Sequence, residues 1–245
     1  MNNVILMAPA ATAGQLRYAN DGQTTVGQVF VNCPDGRDSY VGLAVSCYGK
    51  TAETLAAIQP GQLLLVEQGE LCVYGKERGY GFEVVARKLS VLAPHSQLIE
   101  VFKAQITGKL GRDTDLRYYE SGSCKTENSV ALYAGKDKPP YWINVELWGK
   151  QAELMAQYNS KGATVSIAGR INIQQWKDKA TGQDRFKLVV VAEKFNPFAG
   201  SRGHSEPSDR QFHQNTQQAQ PVTPVYEPMT NQVAPTQAAF EEIPF

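Results

Sequence analysis

Three tryptophans stand where a core tryptophan would not. In Tyr141-Trp142-Ile143-Asn144-Val145-Glu146-Leu147-Trp148 the residues alternate. Ile143, Val145 and Leu147 fall on one side of a strand, and Trp142, Asn144, Glu146 and Trp148 on the other. Further on, Trp176 shares a side with Ser166, Arg170, Asn172 and Gln174, opposite Val165, Ile167, Ile171 and Ile173. A buried indole would sit with the aliphatics. Flat rings among polar neighbours, with cations close by, suit a surface on which nucleic-acid bases stack while Lys and Arg meet the phosphates. The competing reading packs individual rings under a helix or into a subunit contact, and would have to do so three times.

The candidate phosphate partners are Lys109, Arg112, Arg117, Lys150, Arg170, Lys177 and Arg185. A lone surface cation is usually just solvated, so their concentration in one part of the chain is the argument. The net charge of zero hides a polarity. Residues 1–94 carry 7 Lys/Arg against 8 Asp/Glu, residues 95–199 carry 15 against 11, and residues 200–245 carry 2 against 5. A basic middle beside an acidic end implies a polyanionic ligand and a separately addressed tail.

Other chemistries find little support. His95, His204 and His213 lie apart from any nucleophile or acidic partner motif, and no carboxylates pair at metal-ligand spacing. Cys33, Cys47, Cys72 and Cys124 have no CxxC spacing, so reduced, partly buried thiols are expected rather than bridges or metal ligands. No enzyme activity, metal or cofactor is expected. No apolar run reaches the ~18 residues of a membrane span, and the first residues lack the basic start of a secretory signal. A cytoplasmic, nucleoid-associated chain is the expectation.

The elements that must carry these residues come twice. Val45-Ser46-Cys47-Tyr48-Gly49-Lys50-Thr51-Ala52-Glu53 returns as Val145-Glu146-Leu147-Trp148-Gly149-Lys150-Gln151-Ala152-Glu153, one hundred residues later. Leu16-Arg17-Tyr18 matches Leu116-Arg117-Tyr118, and Gly22, Ala56 and Gly69 match Gly122, Ala156 and Gly169. So long a period means two copies of one domain, not a solenoid of ~20–50-residue units. In the second copy the alternating strand runs into helical spacing over 149–160, with Ala152, Met155, Ala156 and Tyr158 as buried candidates. A strand from Val165, a hairpin signal at Ala180-Thr181-Gly182-Gln183, and a last strand over 186–192 follow. Strands, one helix and a further hairpin fit a Greek-key barrel of the OB type. The fold class expected is all-β: two tandem OB-fold barrels, 1–94 and 95–199, each with one short helix, joined near Pro94-His95-Ser96.

The first copy differs where it matters. It has no Trp; Tyr40 and Tyr48 occupy the places of Trp142 and Trp148, and Tyr74 shares a face with Lys76, which occupies that of Trp176. Arg17 and Lys50 are its phosphate candidates. The span from Gly61 to Gly69 is one residue longer than from Gly162 to Gly169, which predicts a bulge or a longer turn. A hairpin is expected near Gly75–Gly81. The residues leave open a weaker second DNA surface or a domain kept for assembly; weak binding is the expectation. From Gly200 onward Gln, Pro, Ser and Thr replace the apolar periodicity, which predicts a disordered tail over 200–245.

Leu147-Trp148-Gly149-Lys150-Gln151-Ala152-Glu153, Lys161-Gly162, Ala168-Gly169-Arg170 and Trp176-Lys177-Asp178 together resemble the bacterial single-stranded DNA-binding proteins. The opening Met1-Asn2-Asn3-Val4-Ile5-Leu6 is similar to theirs, as is the end, Phe240-Glu241-Glu242-Ile243-Pro244-Phe245. The resemblance is strong over 100–195 and weak over 1–94. It implies that Trp142, Trp148 and Trp176 stack on DNA. A further stacking Trp of the family, in the loop after Val130–Ala134, has no counterpart; Tyr133 is the aromatic at hand, and Tyr118 is a further candidate. It also implies sequence-independent binding and protection of single strands in replication, recombination and repair, by a homodimer presenting four OB-folds. The tip, residues 240–245, would recruit partner enzymes by placing the Phe245 ring and α-carboxylate in a basic-rimmed apolar pocket. Two alternatives stand beside this: an OB-fold adaptor of the primosome or recombination machinery whose barrels mainly bind proteins, and an enzyme such as a nuclease using the barrel as a platform.

Overall fold

Alternation of apolar and polar side chains runs through both repeats, and the computed structural model places most of the described residues in strands. Described are residues 1–19, 21–36, 39–74, 81–94 and 100–198. The first repeat comprises β1 (Asn2–Pro9), β2 (Gln15–Tyr18), β3 (Thr25–Pro34), β4 (Tyr40–Tyr48), α1 (Lys50–Ala56), β5 (Leu63–Tyr74) and β6 (Gly81–Leu92). The second has β7 (Val101–Leu110), β8 (Leu116–Tyr118), β9 (Cys124–Leu132), β10 (Tyr141–Trp148), α2 (Gly149–Tyr158), β11 (Thr164–Lys177) and β12 (Asp184–Pro197).

Both repeats close into barrels by the same route. In the second, β7 pairs antiparallel with β11, β11 with β12, and β10 with β9, while β10 and β12 run parallel; β9 returns to β7 at Leu110↔Val130 and Lys109↔Ala131. In the first, β1–β5–β6–β4–β3 is the equivalent circuit, closed by the Ala10↔Val31 bridge. These are OB-fold barrels, as the order of elements predicts. The short strands β2 and β8, which the periodicity is too brief to reveal, flank β3 and β9 at the rim.

The strands dictate their own insides. On β9, Cys124, Thr126, Asn128, Val130 and Leu132 are buried, and the residues between them face out. On β10, Ile143, Val145 and Leu147 are buried, as the alternation requires. α2 buries Ala152 and Met155. Ala156 is only half-buried and Tyr158 is exposed, against expectation, because the helix ends at Tyr158 and Asn159 takes extended backbone there. Gly49 and Gly149 both have positive φ, 67° and 51°, so each repeated Gly-Lys step turns a strand directly into a helix.

The extra residue between Gly61 and Gly69 is a β-bulge. Val4 pairs with Gly69 and Leu6 with Val66, so Ile5 on β1 faces both Glu67 and Gln68 on β5. The two repeats are also joined edge to edge: β1 pairs antiparallel with β7 from Asn2↔Ile106 to Met7↔Val101, giving one twelve-stranded sheet. Cys33, Cys47, Cys72 and Cys124 are all buried and unpaired. Burial pushes the thiols up, that of Cys47 to about 11 and that of Cys72 to about 12, which leaves them protonated and unreactive. Residues 95–99, most of the Gly75–Gly81 hairpin and the segment 199–245, with its predicted tip at 240–245, lie outside the described residues, as does the Tyr74 side chain.

Candidate nucleic-acid interface

Residues paired across neighbouring strands share a face, and this assembles the site on the outside of the second barrel. One row across β9, β10, β12 and β11 reads Glu127, Glu146, Val191, Arg170, and the next Ser129, Asn144, Val189, Asn172. Trp148 pairs with Lys125, and Trp142 with Ala131, which pairs in turn with Lys109. Trp142 and Trp148 therefore lie on one face, six residues apart along β10, or about 20 Å at strand rise. They are 49% and 41% exposed. Trp176, 45% exposed, stands on β11 beyond Arg170, the last residue of that strand to pair with β7. From Ile171 to Lys177 the hairpin pairs only with β12 and carries the third ring outward.

Two of the three exposed indoles are held by neighbours. The Trp142 ring lies over Gly111, where an added Cβ would come within 2.7 Å of its Cζ3 and 2.5 Å of Ser129 Oγ. Trp148 donates its indole N–H to Glu146 Oε1 at 2.6 Å. Lys125 Nζ sits 5.1 Å from the centroid of the Trp148 ring, and Tyr119 stacks on it at 5.8 Å with planes 20° apart. Lys125 and Tyr119 belong to the site although neither was anticipated. The signal for Lys125 was the hairpin register that sets it opposite Trp148. For Tyr119 there was none, since β8 is too short to fix a face.

Beside Trp148 the charges are paired. Lys125 bridges Glu127 at 2.8 Å and the buried Glu146 at 2.9 Å, and Lys187 reaches Glu127 at 3.3 Å. Burial alone would raise the Glu127 carboxyl, but the hydrogen bond from Lys125 and the charge of Lys187 outweigh it and hold it at about 2. A depressed carboxylate stabilises the fold above its unfolded value and loses that contribution as pH falls through the folded one. The stability difference between wild type and Glu127→Gln should therefore be full at neutral pH and shrink between pH 4.5 and about 2. Thermal unfolding across that window measures it; a difference independent of pH would contradict the assignment. The same substitution frees Lys187, while Lys125 keeps its bridge to Glu146.

The expected cations of this barrel divide. Lys109, Arg112, Arg117, Lys150, Arg170 and Lys177 are exposed. Arg112 donates to the Glu127 carbonyl at 3.0 Å, Arg117 meets Asp115 at 3.3 Å, and Arg170 meets Glu193 at 3.4 Å, all weak, exposed contacts. Arg185 departs from expectation: its side chain is 3% exposed and forks onto Asp178 Oδ2 at 3.0 and 3.2 Å, bracing the hairpin that carries Trp176. Tyr118 pairs with the inward-facing Cys124 and so lies off the Trp148 side. Tyr133 is 80% exposed in the loop after β9.

In the first barrel Tyr40 is 56% exposed, Lys50 is exposed and Tyr48 half-buried, its phenol pushed up to about 12 chiefly by burial. Arg17 is half-buried, with its Nε lacking a hydrogen-bond partner. The centre of the equivalent face holds buried Glu83, to which Ser46 donates at 2.6 Å, where the second barrel has Val189. Among the described residues no group of three or more His, Cys, Asp or Glu could hold a metal ion, and no helix is long and apolar enough to cross a membrane.

Residues 101–198, the barrel bearing this face, match the model of the single-strand binding protein family. The chain is 36% identical over 98 residues to a single-stranded DNA-binding protein of Thermosynechococcus vestitus, covering 40% of this chain and 82% of that one. It is 31% identical over 111 residues to single-stranded DNA-binding protein 1 of Synechocystis sp., covering 44% and 92%. The crystal structure of wild-type single-stranded DNA binding protein from Thermus aquaticus superposes with a TM-score of 0.62 at 22% identity, over 85% of this chain and 97% of that one; at that identity the likeness concerns the fold, and it extends over both barrels. With relatives this similar matched over most of their length, the chain belongs to the single-strand binding protein family.

Proposed function

We propose that this chain binds single-stranded DNA without regard to sequence, sheltering unpaired strands during replication, recombination and repair. The observation that carries the reading is the outward set of Trp142, Trp148 and Trp176 on the basic barrel that matches the family. Stacking accepts any base because every base has a π-face, and cations along the groove meet the backbone. Lys109, Lys150, Arg170 and Lys177 are the proposed phosphate contacts. The second barrel is the principal surface; Tyr40 and Tyr48 give the first a weaker one. Two chains would present four barrels, and light scattering at twice the monomer mass is the expected result.

The binding claim is tested with labelled oligonucleotides. Oligo-dT and mixed single strands should bind within about tenfold of one another and duplex far more weakly, with a salt slope of about −0.7 per phosphate neutralised. Equal affinity for duplex, or no binding of either single strand, contradicts it.

The acidic tip, Phe240 to Phe245, is proposed as a peptide for partner enzymes, tethered so that they are concentrated near the DNA. Deleting residues 240–245 should leave oligo-dT affinity unchanged or slightly tighter, because Glu241 and Glu242 go with it. A large loss would make the tip part of the DNA surface.

A further inference from the structure

Trp148 does not present a bare ring to solvent. Tyr119 already stacks against it, and Lys125 lies over it. Tyr119 is itself 46% exposed, so part of the outward aromatic surface at this end of β10 belongs to the tyrosine. Its backbone is fixed: Tyr119 N–H donates to the Ser123 carbonyl at 2.9 Å, and Gly122 N–H returns to the Tyr119 carbonyl at 2.9 Å, with Gly122 at φ 77°. A four-residue turn thus aims the ring at Trp148.

The other repeat supplies an internal comparison. It keeps the inner bond, Gly22 N–H to the Ala19 carbonyl with Gly22 at φ 67°, and closes one residue later, Ala19 N–H donating to the Thr24 carbonyl. Yet a buried Ala19 stands in the place of Tyr119, half-buried Tyr48 in that of Trp148, and buried Val26 opposite it in that of Lys125. The turn needs no aromatic for its own geometry. All three substituents of the cluster are present in the basic barrel and all three are missing in the other.

We propose that Tyr119 is a base-stacking residue, extending the Trp148 platform by one ring so that a nucleotide at this end of the face lies on the tyrosine–tryptophan pair rather than on Trp148 alone. The inference rests on the single-strand reading above and adds a position to it. The phenol contributes a π-face and no charge, so it should change affinity and leave the salt dependence alone.

Fluorescence anisotropy of labelled oligo-dT with the full chain tests this. Tyr119→Ala should weaken binding about tenfold, within the range for one stacked base, with an unchanged salt slope. Tyr119→Phe should stay within about twofold of wild type, since the ring suffices. In a Trp148→Ala background the Tyr119→Ala loss should be smaller, because the two rings act as one platform. Irradiating the complex with an oligonucleotide carrying 5-iodouracil should label Tyr119. Binding by Tyr119→Ala as tight as or tighter than wild type would overturn the proposal, as would cross-linking confined to other residues. If the wild-type chain binds oligo-dT and Trp142→Ala weakens it while Tyr119→Ala does not, only this proposal fails. If the wild-type chain does not bind oligo-dT, the single-strand reading itself fails.

Discussion

Trp148→Ala should weaken oligo-dT binding by about 1–3 kcal/mol, roughly five- to 150-fold, while the protein unfolds close to the wild-type temperature. The expectation follows from where the ring is. Trp148 is 41% exposed, and its ring meets Tyr119, Lys125 and the Glu146 carboxylate. Truncation strips a stacking surface and leaves the core intact. Trp142→Ala should behave alike, its ring resting on Gly111 at the other end of β10. Tyr48→Ala should cost less, since that ring is already half-buried. Anisotropy with labelled oligo-dT and thermal unfolding of the same samples separate the effects. Unchanged affinity in a folded Trp148→Ala protein would make the ring a packing residue.

Leu147→Ala, one position earlier on the same strand, should reverse the pattern. Leu147 is fully buried beneath the site, and truncating a buried leucine costs about 2–5 kcal/mol through lost transfer energy and the cavity left behind. Urea unfolding should show that loss, while the folded fraction binds oligo-dT as wild type does. A Leu147→Ala protein of undiminished stability would mean that the two faces of β10 are assigned the wrong way round. Adjacent residues thus divide stability from binding, and the division comes from the two-residue period of a strand.

That period is why so much of this site could be read from the amino acids. The outward Trp142 and Trp148, the buried Ile143, Val145 and Leu147, and the bulge near Gly69 each rest on local spacing or on a one-residue length difference between the repeats. What could not be read depends on pairing across distance. The β1–β7 seam joins segments about a hundred residues apart, and neither edge announces its partner. Arg185 looks like any basic residue near a tryptophan until the hairpin folds and Asp178 captures it. Tyr118 and Tyr119 are neighbours of equal promise, and the three-residue strand β8 is too short for alternation to say which one turns toward Trp148. The lysines by Trp148 look free in the sequence, but Glu127 and Glu146 already hold Lys125, and Glu127 also holds Lys187.

The central claim is that indoles on the outside of the second barrel stack on unpaired bases. Intrinsic tryptophan emission, followed while oligo-dT is added at rising salt, tests it most directly, because all three tryptophans of the chain lie on that barrel and none in the first. Emission should fall to a saturating minimum on adding oligo-dT and recover as salt releases the strand. Emission that stays constant while labelled oligo-dT is demonstrably bound would contradict it.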